Sequence, residues 1–114
     1  MGQAGAGENR EPNPAAHVQQ SRGPVLFMIV EHFRGGDPIP VYRRFRDQGR
    51  LAPDGLEYLG SWVTQDLAHC YQVMSCDDRA LLDAWIDQWR DLVDFDVIPV
   101  LSSADVRALV ADRL

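Results

Sequence analysis

The chain has 114 residues, 46% of them hydrophobic, which suits one packed core and not two. Its net charge is -6, with 17 acidic residues against 11 basic ones that are all arginine, a balance that excludes a nucleic-acid surface as the working face. The longest apolar stretch, Val25 to Val30, falls far short of the roughly 20 residues of a membrane helix, and no signal-type apolar segment opens the chain, so a cytoplasmic protein that does not enter membranes is expected.

Residues 1–24 combine glycine and proline with Gln, Asn and Ala, and hold little apolar surface. Such a segment cannot offset its chain entropy by burial, so it is read as a disordered tail, with the folded domain spanning 25–114. Val25 is also a possible initiator position, a reading that places the tail outside the native coding sequence and that mass spectrometry of the native protein would test.

From Val25 to Phe33 the chain is β-branched and aromatic and is halted by Gly35 and Gly36, the pattern of a buried strand. Asp37 and Pro38 then form a helix start, with a helix running to about Gly49 and Tyr42 and Phe45 turned inward. Pro53, Asp54 and Gly55 mark a turn. Strands over 56–64 and 68–75 follow, joined by the short link Gln65 and Asp66 as a hairpin.

Asp77 and Asp78 offer an N-cap for a helix over about 79–92, on which Leu81, Leu82, Trp85, Ile86, Trp89 and Leu92 share one face. A fourth strand over 95–101 contains Pro99, which cannot donate to a ladder and therefore favours a sheet edge. A short helix capped by Ser102 or Ser103 ends the chain, with Val106, Leu109 and Val110 on its inner stripe.

The order is strand, helix, strand, strand, helix, strand, which defines an α+β fold of ferredoxin-like βαββαβ type: a four-stranded antiparallel sheet with two helices on one face, plus a short C-terminal helix. Two helices cover one face only, yet the strands are apolar on both: Leu26, Met28 and Val30 alternate with Phe27, Ile29 and Phe33. Tyr58 and Trp62 are read on one face of the second strand, and Leu59 and Val63 on the other. A second copy of the chain is the economical cover for the free face, so a homodimer is expected.

The run VLFMIVEHF, then Tyr42 and Phe45 as Y-x-x-F, SWV, CYQVM, LLD-x-WI and LVDFDVIPV together resemble a bacterial family of domains of unknown function within the dimeric α/β-barrel superfamily, over about 25–101. The resemblance implies a ferredoxin-like dimer with a barrel-like interior. It belongs to a superfamily that includes cofactor-independent monooxygenases, small isomerases, haem-degrading enzymes and stress-response proteins. Likeness at this level does not choose among those chemistries.

Candidate site residues follow from chemistry. His32 is the candidate general base, because imidazole titrates near neutral pH, although adjacent Glu31 points to the other face and cannot orient it within one strand. His69, opening the third strand, is placed with His32 as a pocket candidate. Tyr58 and Trp62 are read as an aromatic ligand wall and Gln72 as a buried amide in need of a partner.

No metal or cofactor is expected, since His32, His69, Glu31 and Cys70 show no recognised ligand spacing. Haem handling would fall to His32 or His69 as axial ligand. Cys70 and Cys76 lie roughly 20 Å apart along extended chain, too far for an internal disulfide, which suits a reducing compartment. Trp85 and Trp89, four apart on one helix, are read as core. Arg43, Arg44, Arg46 and Arg50 could attract an anionic ligand or partner but are read as a solvated helix face.

The functional reading is a small dimeric domain that binds or transforms an apolar or oxygenated molecule in a pocket between sheet and helices. The alternative is a non-catalytic regulatory or protein-interaction domain whose histidines are structural.

Overall fold

The computed structural model describes residues 24–114. The tail reading over 1–24 concerns residues that, Pro24 apart, lie outside those described.

Strand β1 (Val25–Phe33) is followed by helix α1 (Ile39–Gln48), strands β2 (Glu57–Val63) and β3 (His69–Cys76), helix α2 (Arg79–Asp87), strand β4 (Val93–Val100) and helix α3 (Ser103–Val110). The four strands form one antiparallel sheet in the order β2-β3-β1-β4. This is the ferredoxin-like α+β arrangement, with the longest apolar strand at the centre. Pro99 sits on the edge strand β4, where its missing N–H costs no ladder bond.

Local chemistry explains the boundaries. Gly35 and Gly36 both take positive φ (67° and 66°) in a 3₁₀ turn that reverses the chain after β1. The Asp37 carboxylate then accepts from the Ile39 N–H at 3.0 Å and opens α1. Asp78 caps α2 by accepting from the Ala80 N–H at 2.9 Å, and Ser102 caps α3 through the Asp105 N–H at 3.0 Å. Helix α2 ends five residues earlier than its apolar stripe suggests. Beyond Asp87 the chain continues in tighter i to i+3 bonds, Gln88 to Trp85 and Trp89 to Ile86, which still keep Trp89 in the core.

The core lies between the sheet and α2. Ile29, Met74 and Leu82 are fully enclosed there, with Phe27, Trp85 and Trp89 around them. A smaller cluster of Phe33, Cys70 and Val93 lies farther along the same face. Glu31 occupies the gap in the row Phe27, Ile29, Phe33 and separates the two clusters.

Gly55, at φ +92°, closes the turn before β2, and a Cβ there would lie 2.9 Å from the Leu81 side chain. Gly55→Ala is therefore expected to lower stability by about 1 to 2 kcal/mol in urea denaturation, through the positive φ and the contact together.

Two expectations change. A bulge in β2 pairs Tyr58 with Met74 and Gly60 with Val73, so Leu59 is skipped. Tyr58 consequently lies on the helix-bearing face, with Met74, while Trp62 pairs with Tyr71 on the other; one inserted residue reverses every side chain beyond it. Tyr42 and Phe45 face the sheet but stay half exposed, because space and polar groups lie beneath α1 where packed side chains were expected.

Candidate functional site

A pocket of about 110 Å³ opens beneath α1, between the two core clusters. Its floor is the sheet, with Glu31 from β1 and Cys70 and Gln72 from β3; Trp85 and Trp89 wall one side. Val41, Tyr42 and Phe45 of α1 form the roof, and Arg50, just past that helix, stands at the polar end.

Arg50 is held from several directions. Its carbonyl oxygen accepts both indole N–H groups, from Trp85 and Trp89, each at 3.0 Å. Its neighbours Gly49 and Leu51 take positive φ (76° and 65°), a strained turn fixed by those two bonds. The guanidinium stacks on Tyr58 at 3.6 Å from the ring centre and lies 5.2 Å from that of Phe45. Its Nη1 donates to Gln72 Oε1 at 3.0 Å, and the Gln72 amide in turn donates to the Met74 sulfur at 3.3 Å. Gln72 thus finds its partners inside the fold. Arg44 and Arg46 instead pair at the surface with Asp91 and Asp47.

Glu31 is 8% exposed, and among the described residues its carboxyl makes no hydrogen bond and no ion pair. Burial raises its pKa from the ordinary 4.5 to about 7, against the opposing pull of Arg50. Burial also pushes the Cys70 thiol up to about 12, with Glu31 adding to the effect, so Cys70 is an inert wall and not a nucleophile. Tyr42 is raised as well, first by burial.

The histidines lie on the opposite, open face of the sheet. His32 and His69 are register partners, their Nδ1 atoms 3.0 Å apart, and Asp96 Oδ2 accepts from His32 Nε2 at 2.8 Å. The two Nδ1 atoms share one hydrogen bond, in which the tautomers of the rings set which of them donates. Trp62 is on this face too, 65% exposed, as are Tyr71 and Ile98. The structure therefore brings His32 together with His69, and Gln72 together with Tyr58 through Arg50, but sets these two groups on opposite sides of the sheet. Among the described residues, no cluster of three His, Cys, Asp or Glu side chains is arranged to hold a metal ion. Among the described residues, no helix is long and apolar enough to cross a membrane.

Sequence reasoning weighed Glu31 and Arg50 but gave neither a place in the candidate site. The available signal for Glu31 was its place in the alternate set with Phe27, Ile29 and Phe33, the one acid in a row of buried apolar residues.

Fold and pocket together define a ferredoxin-like α+β domain with an acid-floored cavity between its layers. Residues 25–114 match DUF3303, a domain of unknown function, and the chain belongs to that family. A solved structure described as the crystal structure of antibiotic biosynthesis monooxygenase is similar at 22% identity and a TM-score of 0.41, covering 68% of this chain and 97% of that one. No curated protein matches the chain.

Proposed function

We propose that the domain binds or transforms a small, mainly apolar molecule with an oxygen-bearing end, in the pocket beneath α1, with Glu31 as the group that takes up or releases a proton. The observation that carries this reading is the Glu31 carboxyl itself. It is buried, unpartnered among the described residues and aimed into a cavity, at a pKa of about 7 where either protonation state is accessible near neutrality. A carboxyl kept there for packing alone would be a continuous cost to the fold. Glu31 takes over the proton-transfer role that residue chemistry alone suggests for His32, and Tyr58 and Gln72 serve by holding Arg50.

The same reading gives the open sheet face to a second copy of the chain, in a cytoplasmic homodimer. Met28, Val30, Val73, Ile98, Trp62 and Tyr71 share that face, and Trp62 and Ile98 are left 65% and 48% exposed by the chain's own helices. This apolar face also supports the second reading, an interaction domain for which the pairing surface is the function.

Native mass spectrometry of untagged protein from its host tests the first reading. It is expected to detect a dimer with a retained small molecule that is lost from Glu31→Ala. A bare chain in both proteins would contradict the pocket reading and leave the interaction domain.

A further inference from the structure

The groups at the polar end of the pocket are donors. Arg50 is a fixed cation that, among the described residues, meets no carboxylate within hydrogen-bond reach and spends one N–H on the neutral Gln72 amide. The acceptor oxygen of Gln72 is taken by that bond and its NH₂ is turned to Met74. Tyr42 and Cys70 carry O–H and S–H groups, protonated near neutral pH and shifted further that way by their surroundings. Glu31 has no partner for its own carboxyl hydrogen among the described residues. With Glu31 protonated, the site has one net positive charge and several donors and is complementary to a single compact anion, and its remaining walls, Phe33, Val41, Val93 and the two indoles, are apolar.

From this arrangement we propose that the pocket takes a small apolar monocarboxylate, its head group forked onto Arg50 and bonded by the carboxyl hydrogen of Glu31, its aromatic or branched body against Trp85, Trp89 and Val93. This assignment rests on the pocket reading above and names the ligand class for it. A phosphate ester fits poorly, since its second charge finds no second cation at the site. Stacking on Tyr58 and the two indole bonds to its carbonyl hold Arg50 in place before ligand arrives, which lowers the ordering cost of binding.

The charged and titratable groups facing Glu31 are Arg50 from the loop, Tyr42 from α1 and Cys70 from β3, while Tyr58 from β2 lies against Arg50. Of these, Arg50 carries fixed charge. As pH rises through the Glu31 transition, the donor becomes a second anion facing the ligand, and affinity falls.

The test uses benzoate and its neutral counterpart benzamide as probes on the full chain, with calorimetry and the Trp85 and Trp89 indole resonances as readouts. Benzoate is expected to bind at least about tenfold more tightly than benzamide at pH 6 and to weaken about tenfold by pH 8. Arg50→Gln should remove the preference for benzoate, and Glu31→Gln, whose amide still donates, should keep benzoate binding but lose the decline with pH. Benzamide binding as tightly as benzoate, or a preference that survives in Arg50→Gln, overturns the carboxylate assignment and leaves the pocket reading standing. Neither probe moving the indole resonances at millimolar concentration overturns the assignment as well; the pocket reading is then decided separately, by the mass of any molecule retained from the host.

Discussion

Glu31→Gln is expected to remove a pH-dependent weakness from the fold. A carboxyl whose pKa is raised on folding stays protonated while the unfolded chain ionises, so the unfolded state gains as pH climbs from 4.5 to about 7, and the loss then levels off. Below pH 4.5 the group is neutral in both states and adds no pH-dependent cost. The shift corresponds to about 3 kcal/mol. Urea titrations of both proteins at pH 4.5 and 8, at one fixed protomer concentration, should therefore show the variant gaining about 3 kcal/mol on the wild type between the two conditions. Parallel behaviour of the two proteins across this range would mean that Glu31 is charged and solvated in the folded chain, contrary to its burial.

Trp62→Asp is expected to leave a folded monomer where the proposed reading makes the wild type a dimer. Trp62 projects from the edge strand β2 on the open face and is mostly exposed within one chain, so the substitution removes little from the fold itself. Buried in a contact between two sheets, an aromatic of this size is worth about 2 kcal/mol or more, and a two-fold interface contains the change twice. About 4 kcal/mol corresponds to a dissociation constant weakened about a thousandfold. Sedimentation equilibrium over a range of concentrations, with circular dichroism to confirm folding, reads this directly. A wild-type monomer, or a variant dimer of undiminished affinity, contradicts the placement of the second copy on this face.

The architecture was legible because each element carries its own signal. Asp37, Asp78 and Ser102 start helices by accepting from backbone N–H groups, glycines at positive φ close the turns at 35–36 and 55, and Pro99 marks an edge. The candidate site was less legible, for two physical reasons. Alternation along β1 separates Glu31 from His32 but does not say which set meets the helices, and the choice decides which of them is enclosed. The bulge at Leu59 is a one-residue matter of pairing with β3, yet it moves Trp62 to the face opposite Tyr58. Arg50 looked like one more charge in a run of helix arginines. Its role comes from distant residues, Trp85 and Trp89, whose indoles fix its backbone. Those two tryptophans were legible as core and hold the backbone of Arg50 as well.

The most direct test of the account is a site-resolved titration of the Glu31 carboxyl by carbon NMR in the full chain, with Glu31→Gln identifying the resonance. A midpoint near 7 is the predicted result, displaced when a pocket ligand is added. A midpoint near 4.5, unmoved by any ligand, would place the carboxyl in water and contradict the pocket as the working site.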